Sequence, residues 1–131
     1  MSRVPRVKEH LKTGFMAEAA SAARYRANAR RAAQEGFDNV TKRWLDLAAA
    51  KDELAILLLE AGGNVRDAER SVADALSEER FENDVLYPKM IRDVDEESAA
   101  VFRQVVEAQT EQAGRLEELR RDLQAAAGDI G

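Results

Sequence analysis

Apolar residues recur at steps of three and four along four stretches of the chain, the spacing that lines one face of an α-helix. The first stretch carries Leu11, Phe15, Glu18, Ala22, Tyr25, Ala29 and Ala32, and the second Trp44, Leu47, Lys51, Leu54, Ala55 and Leu58. The third carries Val72, Leu76, Glu79, Leu86 and Met90, with Glu82 one turn after Glu79; the fourth carries Phe102, Val105, Gln109, Gln112, Leu116, Leu119 and Leu123. Each stripe is interrupted near its middle by a polar side chain. Packed together, four such helices place one polar layer, made by Glu18, Lys51, Glu79, Gln109 and Gln112, across an otherwise apolar bundle.

Helix punctuation sets the ends. Pro5 suits a first turn, where its missing N–H is no loss, and Gly36 suits the position just past the end. Asp38 can cap the second helix, which Gly62 and Gly63 close. Asn64, with Asp67 three residues on, opens the third, within which Pro88 predicts a kink or a break in hydrogen bonding. Asp95 caps the fourth, whose Ala/Gly-rich end frays. The helices so predicted cover residues 5–35, 39–61, 65–93 and 96–127 of a single all-α domain. The two halves also echo each other. Glu18 precedes Tyr25 by seven residues and Glu79 precedes Tyr87 by eight, and each half continues with an aromatic, Trp44 or Phe102, seven residues before Lys51 or Gln109. Such a repeat suggests two helical hairpins related by a pseudo-twofold axis.

Composition narrows the function. A chain of 131 residues with 45% hydrophobic and 34% charged residues and 2 prolines fits one soluble helical domain rather than disorder. A net charge of −5 disfavours nucleic acid, whose binding needs a clustered basic face. The run Arg24, Arg26, Arg30, Arg31 reads as a solvated helix face. Without cysteine there is no disulfide framework, thiolate metal site or thiol nucleophile, which suits a cytoplasmic location. No apolar stretch approaches the ~20 residues of a membrane span, and the segment from Met1 to Arg6 lacks the apolar core of a signal peptide.

Bundles that hold two metal ions take one Glu from each of two helices and a Glu-x-x-His from each of the other two. Phe15-Met16-Ala17-Glu18 followed by Arg24-Tyr25 and Glu35-Gly36, and Glu79 and Glu82 followed by Tyr87-Pro88, resemble the metal helices of the rubrerythrin family of ferritin-like proteins. The resemblance runs from Val7 to Leu123, with a gap of about one turn in the fourth helix. It implies a ferritin-like four-helix bundle whose carboxylate-bridged di-iron centre reduces hydrogen peroxide or oxidises ferrous iron, with Glu18, Glu79 and Glu82 at ligand positions. The sequence departs at the other ligands. Where the family has Glu-x-x-His, this chain has Lys51 with Leu54 and Gln109 with Gln112; shifting the fourth helix by two offers Glu111 but places Gly114 where His is needed. The one histidine, His10, lies two turns before Glu18, and the rubredoxin module of many relatives, which needs cysteine, is missing.

An ammonium at Lys51 brings positive charge to the space a cation would fill. The leading expectation is that Lys51 replaces the metal, pairing with Glu18 and Glu79 while the Gln109 and Gln112 amides satisfy the remaining donors and acceptors. The product is a structural or interaction protein without a cofactor. The alternative is an iron-dependent peroxidase or ferroxidase that keeps its metal through Glu18, Glu79, Glu82 and Glu107 or Glu111. A third reading holds a single Mg²⁺ or Mn²⁺ on the three glutamates. Blander assignments compete: a register one position off turns Glu18 and Glu79 to solvent, Lys51 snorkels outward, Glu82 faces solvent or a dimer, and Asp52 and Glu53 lie on the surface. Tyr25, Tyr87, Trp44 and Met90 at helical spacing read as core rather than as a redox relay.

Topology follows from one connection. Ferritin-like bundles run a long crossover between their second and third helices. The segment from Gly62 to Arg66 reaches only about 18 Å, against about 40 Å for a helix of roughly 27 residues. The chain is therefore expected either to fold as an up-down-up-down bundle or, the favoured reading, to exchange hairpins in a homodimer.

Overall fold

The computed structural model describes residues 4–131; residues 1–3, on which the expectation about a leader segment partly rests, lie outside them. The described chain is all-α, without strands among the described residues. Its elements are α1 (Val4–Gln34), α2 (Asp38–Ala61), α3 (Ala68–Phe81), α4 (Tyr87–Asp93) and α5 (Glu96–Ala125). A π-helical turn, Glu82–Leu86, joins α3 to α4 without a break, so the chain makes four helical rods. They form two compact units, one up to Val65 and one from Arg66. No described helix is long and apolar enough to cross a membrane.

In the first unit α1 packs along α2. The predicted stripe of α1 is the face withdrawn from solvent, with Ala22, Ala29 and Ala32 buried. On α2 the buried residues are Ala48 and Ala55, and such small side chains let two helix backbones approach closely. Gly14 belongs to the same close approach, because a Cβ there would lie 3.2 Å from Leu58 Cδ1. The predicted stripe of α2 lies only partly on the packed face: Ala55 is buried and Trp44, Lys51 and Leu58 are half-buried, whereas Leu47 and Leu54 are 52% and 44% exposed. Leucine marks apolar surface, but the contact with α1 selects alanine.

Gly36 (φ +80°) and Gly63 (φ +70°) adopt the left-handed conformation that ends a helix without a Cβ penalty. Phe37 N–H donates to Ala32 O at 2.9 Å, and Asn64 N–H donates to Leu59 O at 3.0 Å, closing both ends with the same six-residue motif. Asp38 is the first residue of α2 rather than its cap. The turn is so short that Phe37, which completes the end of α1, also occupies the cap position of α2, with no side-chain cap hydrogen bond.

In the second unit α3 starts three residues later than predicted, because Asn64 is used to close α2 and Asp67 caps α3, accepting from Arg70 N–H at 2.9 Å. Arg66 forks onto Asp74 through Nε at 2.8 Å and Nη2 at 2.6 Å, fixing the approach to the helix. The rod is interrupted near Pro88, which itself lies in the first turn of α4. The interruption lies one turn upstream, where Tyr87 N–H donates to Glu82 O, five residues back. Asp95 caps α5 by accepting from Ser98 N–H at 2.8 Å, and Val72, Leu76 and Ala99 form the buried core of this unit.

Candidate functional site

Some of the polar residues that interrupt the stripes meet a partner across their own hairpin. In the first, Glu18 on α1 and Lys51 on α2 face each other across the helix pair, with Lys51 Nζ 2.7 Å from Glu18 Oε2. Their side chains are 29% and 25% exposed, so the pair sits at the margin of the interface and not in a dry interior. Contact with the Glu18 carboxylate, then its charge, holds the Lys51 ammonium above the ordinary lysine value; desolvation opposes this, and Tyr25 adds a smaller push upward.

Two further contacts tie the same helices together. Arg26 donates through Nη1 to both Asp52 oxygens, at 2.8 and 3.1 Å. Sequence alone places Asp52 on the surface; it is exposed and also bridges the hairpin. Tyr25 and Trp44 meet with ring centroids 5.1 Å apart, tilted by 50°, a favourable aromatic arrangement.

In the second hairpin Gln109 Nε2 donates to Glu82 Oε1 at 3.1 Å across α5 and the π turn. Tyr87 and Phe102 repeat the aromatic pair, with centroids 6.0 Å apart. Glu79 Oε2, Asn83 Oδ1 and Gln109 Oε1 are shut off from solvent without a donor among the described residues. Asn83 was not singled out by the sequence, where nothing but its place before Tyr87-Pro88 sets it apart. Gln112 is exposed, since the packed face of α5 passes through Gln109, Ala113 and Leu116. It lines, with Glu79 and Arg115, a groove of about 470 Å³ whose apolar walls are Ala75, Leu116 and Leu119.

A carboxylate-bridged metal pair needs free carboxylate oxygens turned toward a common centre, with imidazoles completing the set. Among the described residues no three His, Cys, Asp or Glu side chains converge in this way. The donors present do not fit such a group. Glu18 presents its buried oxygen to an ammonium and Glu82 accepts from an amide N–H, so each faces a hydrogen-bearing donor where a metal ion is required. Glu107 and Glu111 are exposed on α5, and His10 is exposed on α1. No family model matches this chain, and no curated protein sequence matches it either.

Proposed function

We propose that the chain is a rubrerythrin-like, ferritin-like bundle whose metal layer is replaced by side-chain pairs, and that it serves as a structural or interaction protein. The observation that carries this reading is the 2.7 Å contact between Lys51 Nζ and Glu18 Oε2. An ammonium there neutralises the carboxylate that a metal ion would otherwise neutralise, and it holds two helices in register at mid-length without redox chemistry. The Gln109 to Glu82 hydrogen bond plays the matching part in the second hairpin. Gln112, placed at the rim of the groove, stands beside Glu79 in the same layer.

The bundle is completed by exchange of hairpins between two copies. Two helices alone leave apolar surface uncovered, and Leu47, Leu54 and Leu57 of α2 are 52%, 44% and 61% exposed. The connecting residues 62–67 reach about 20 Å, while the 24 residues of α2 span about 36 Å. So short a connection supports exchange of hairpins, or else an up-down-up-down arrangement, over a lengthwise crossover within one chain. We place this homodimer in the cytoplasm, bound to neither nucleic acid nor membrane, in keeping with a net charge of −5.

The test is elemental analysis and a visible spectrum of protein produced with added iron. Protein with substoichiometric metal and no visible absorption supports the reading. Two irons per chain with the absorption of a bridged centre would overturn it in favour of a peroxidase or ferroxidase that keeps Glu18, Glu79 and Glu82 as ligands. A single bound Mn²⁺ or Mg²⁺ would overturn it equally.

A further inference from the structure

We infer that the band of α2 running Leu47, Lys51, Leu54 docks into the groove between α3 and α5 of a second copy, with Lys51 reaching Glu79 there. This inference rests on the reading above that two copies complete the bundle. It names the surfaces that meet.

Charge and shape select the occupant. At 100° per residue, Lys51 lies midway between the buried side of α2, marked by Ala48 and Ala55, and the exposed leucines Leu47 and Leu54. A lysine ammonium carries three donors, and one oxygen, Glu18 Oε2, lies against it within the hairpin. The groove offers the complement. Its walls are Ala75, Leu116 and Leu119, and it contains one carboxylate, Glu79, whose Oε2 is shut off from solvent without a donor. Holding such an oxygen out of water is unfavourable until a cation or donor meets it. A lysine flanked by leucines meets both demands, since its methylene stem packs on apolar walls while its head stays polar. Arg115, at the rim of the groove, has counterparts in Asp46 and Glu53, exposed along the far edge of the leucine band.

The chain has no cysteine, so single thiols report on this contact directly. Leu54→Cys and Leu116→Cys variants are mixed, allowed to exchange, and treated with a short bifunctional maleimide. The expected product is a covalent heterodimer far above the level from either variant alone. Sedimentation is expected to give a dimer for the unaltered chain and at least tenfold weaker association for Glu79→Lys, with Glu79→Gln between them and far-UV circular dichroism unchanged throughout. Cross-linking confined within single chains of the Leu54→Cys/Leu116→Cys double variant overturns the inference. So does a Glu79→Lys dimer as tight as the original. A dimer that yields no such cross-link refutes these surfaces alone, whereas a monomer refutes the exchange of hairpins as well; metal content judges the replaced metal layer independently of either.

Discussion

Tyr87 donates its backbone N–H to the carbonyl of Glu82, five residues back, inside an otherwise α-helical rod. Seven α-helical residues complete nearly two turns, so Glu18 and Tyr25 share a face. One added residue would swing Tyr87 by about 100° away from Glu79. The π turn absorbs that extra residue and returns Tyr87 to Phe102, as Tyr25 is placed against Trp44. Deleting Asp84, an exposed residue of the turn, is expected to convert it to α-helix and to shift Tm by less than about 4 °C, equivalent to ~1 kcal/mol at this size. Deleting Ser77 from regular α3 rotates the buried face instead and is expected to abolish cooperative melting by circular dichroism. Equal damage from both deletions would refute this account of the turn.

The spacing of seven against eight was the visible trace of that turn, yet a sequence does not say whether an added residue bulges, kinks or shifts register. The stripe of α1 was fully legible because one partner covers it. That of α2 was legible only in part: Ala55 falls on the predicted stripe and is buried, but Leu47 and Leu54, which carry the strong signal, are exposed, and the other buried contact is Ala48, whose weak hydrophobicity hides it. Gln112 illustrates the same limit, since steps of three and four fit equally well after Gln109 and the packed face takes Ala113. Helix ends were readable where one residue dominates, as at Gly36 and Asp95. They were misread at Asp38 and Asn64, where neighbouring turns share residues.

Lys51→Met tests the ion pair. The variant keeps the apolar stem but leaves Glu18 Oε2, shut off from solvent, without its counter-charge. A drop of several degrees in Tm at neutral pH is expected, smaller than for a dry pair because both side chains are about a quarter exposed. Glu18 raises the folded-state pKa of Lys51 above its unfolded value. The pair's contribution is therefore complete below the ordinary lysine range, about pH 10.4, and disappears as pH rises through the higher folded value. The Tm difference between the two proteins should stay constant to about pH 10 and then shrink. A difference that already shrinks between pH 6 and 8 would point to another group.

Asp74 governs the opposite limb. The Arg66 guanidinium, hydrogen bonded to its carboxylate, holds Asp74 below the usual carboxylate range. That contribution is present above the unfolded value near 3.9 and is lost as pH falls through the lowered folded value. Asp95, lowered by the Ser98 backbone N–H it accepts from, acts in the same direction. Asp74→Asn should flatten the decline of Tm below about pH 4 and change little of its shape above pH 6. Acid titrations that superimpose for the two proteins would remove this ion pair from the account.

Leu76 and Leu47 separate stability held within a hairpin from stability supplied by a second copy. Leu76 is 1% exposed, and truncating it leaves a cavity in the core. Leu76→Ala should cost about 2–5 kcal/mol in urea denaturation, a large part of the 5–15 kcal/mol typical of a folded domain. Within one chain Leu47 is 52% exposed, so Leu47→Ala in an isolated copy should cost no more than about 0.5 kcal/mol, the range of surface substitutions. If α2 docks on a second copy, Leu47 is covered in the dimer and its loss weakens association, which makes apparent stability depend on protein concentration. Denaturation of both variants at two concentrations a hundredfold apart therefore distinguishes them: the penalty for Leu47→Ala should change with concentration because its covered state exists only in the dimer. A Leu47→Ala penalty that is small and the same at both concentrations would mean that this leucine remains in water.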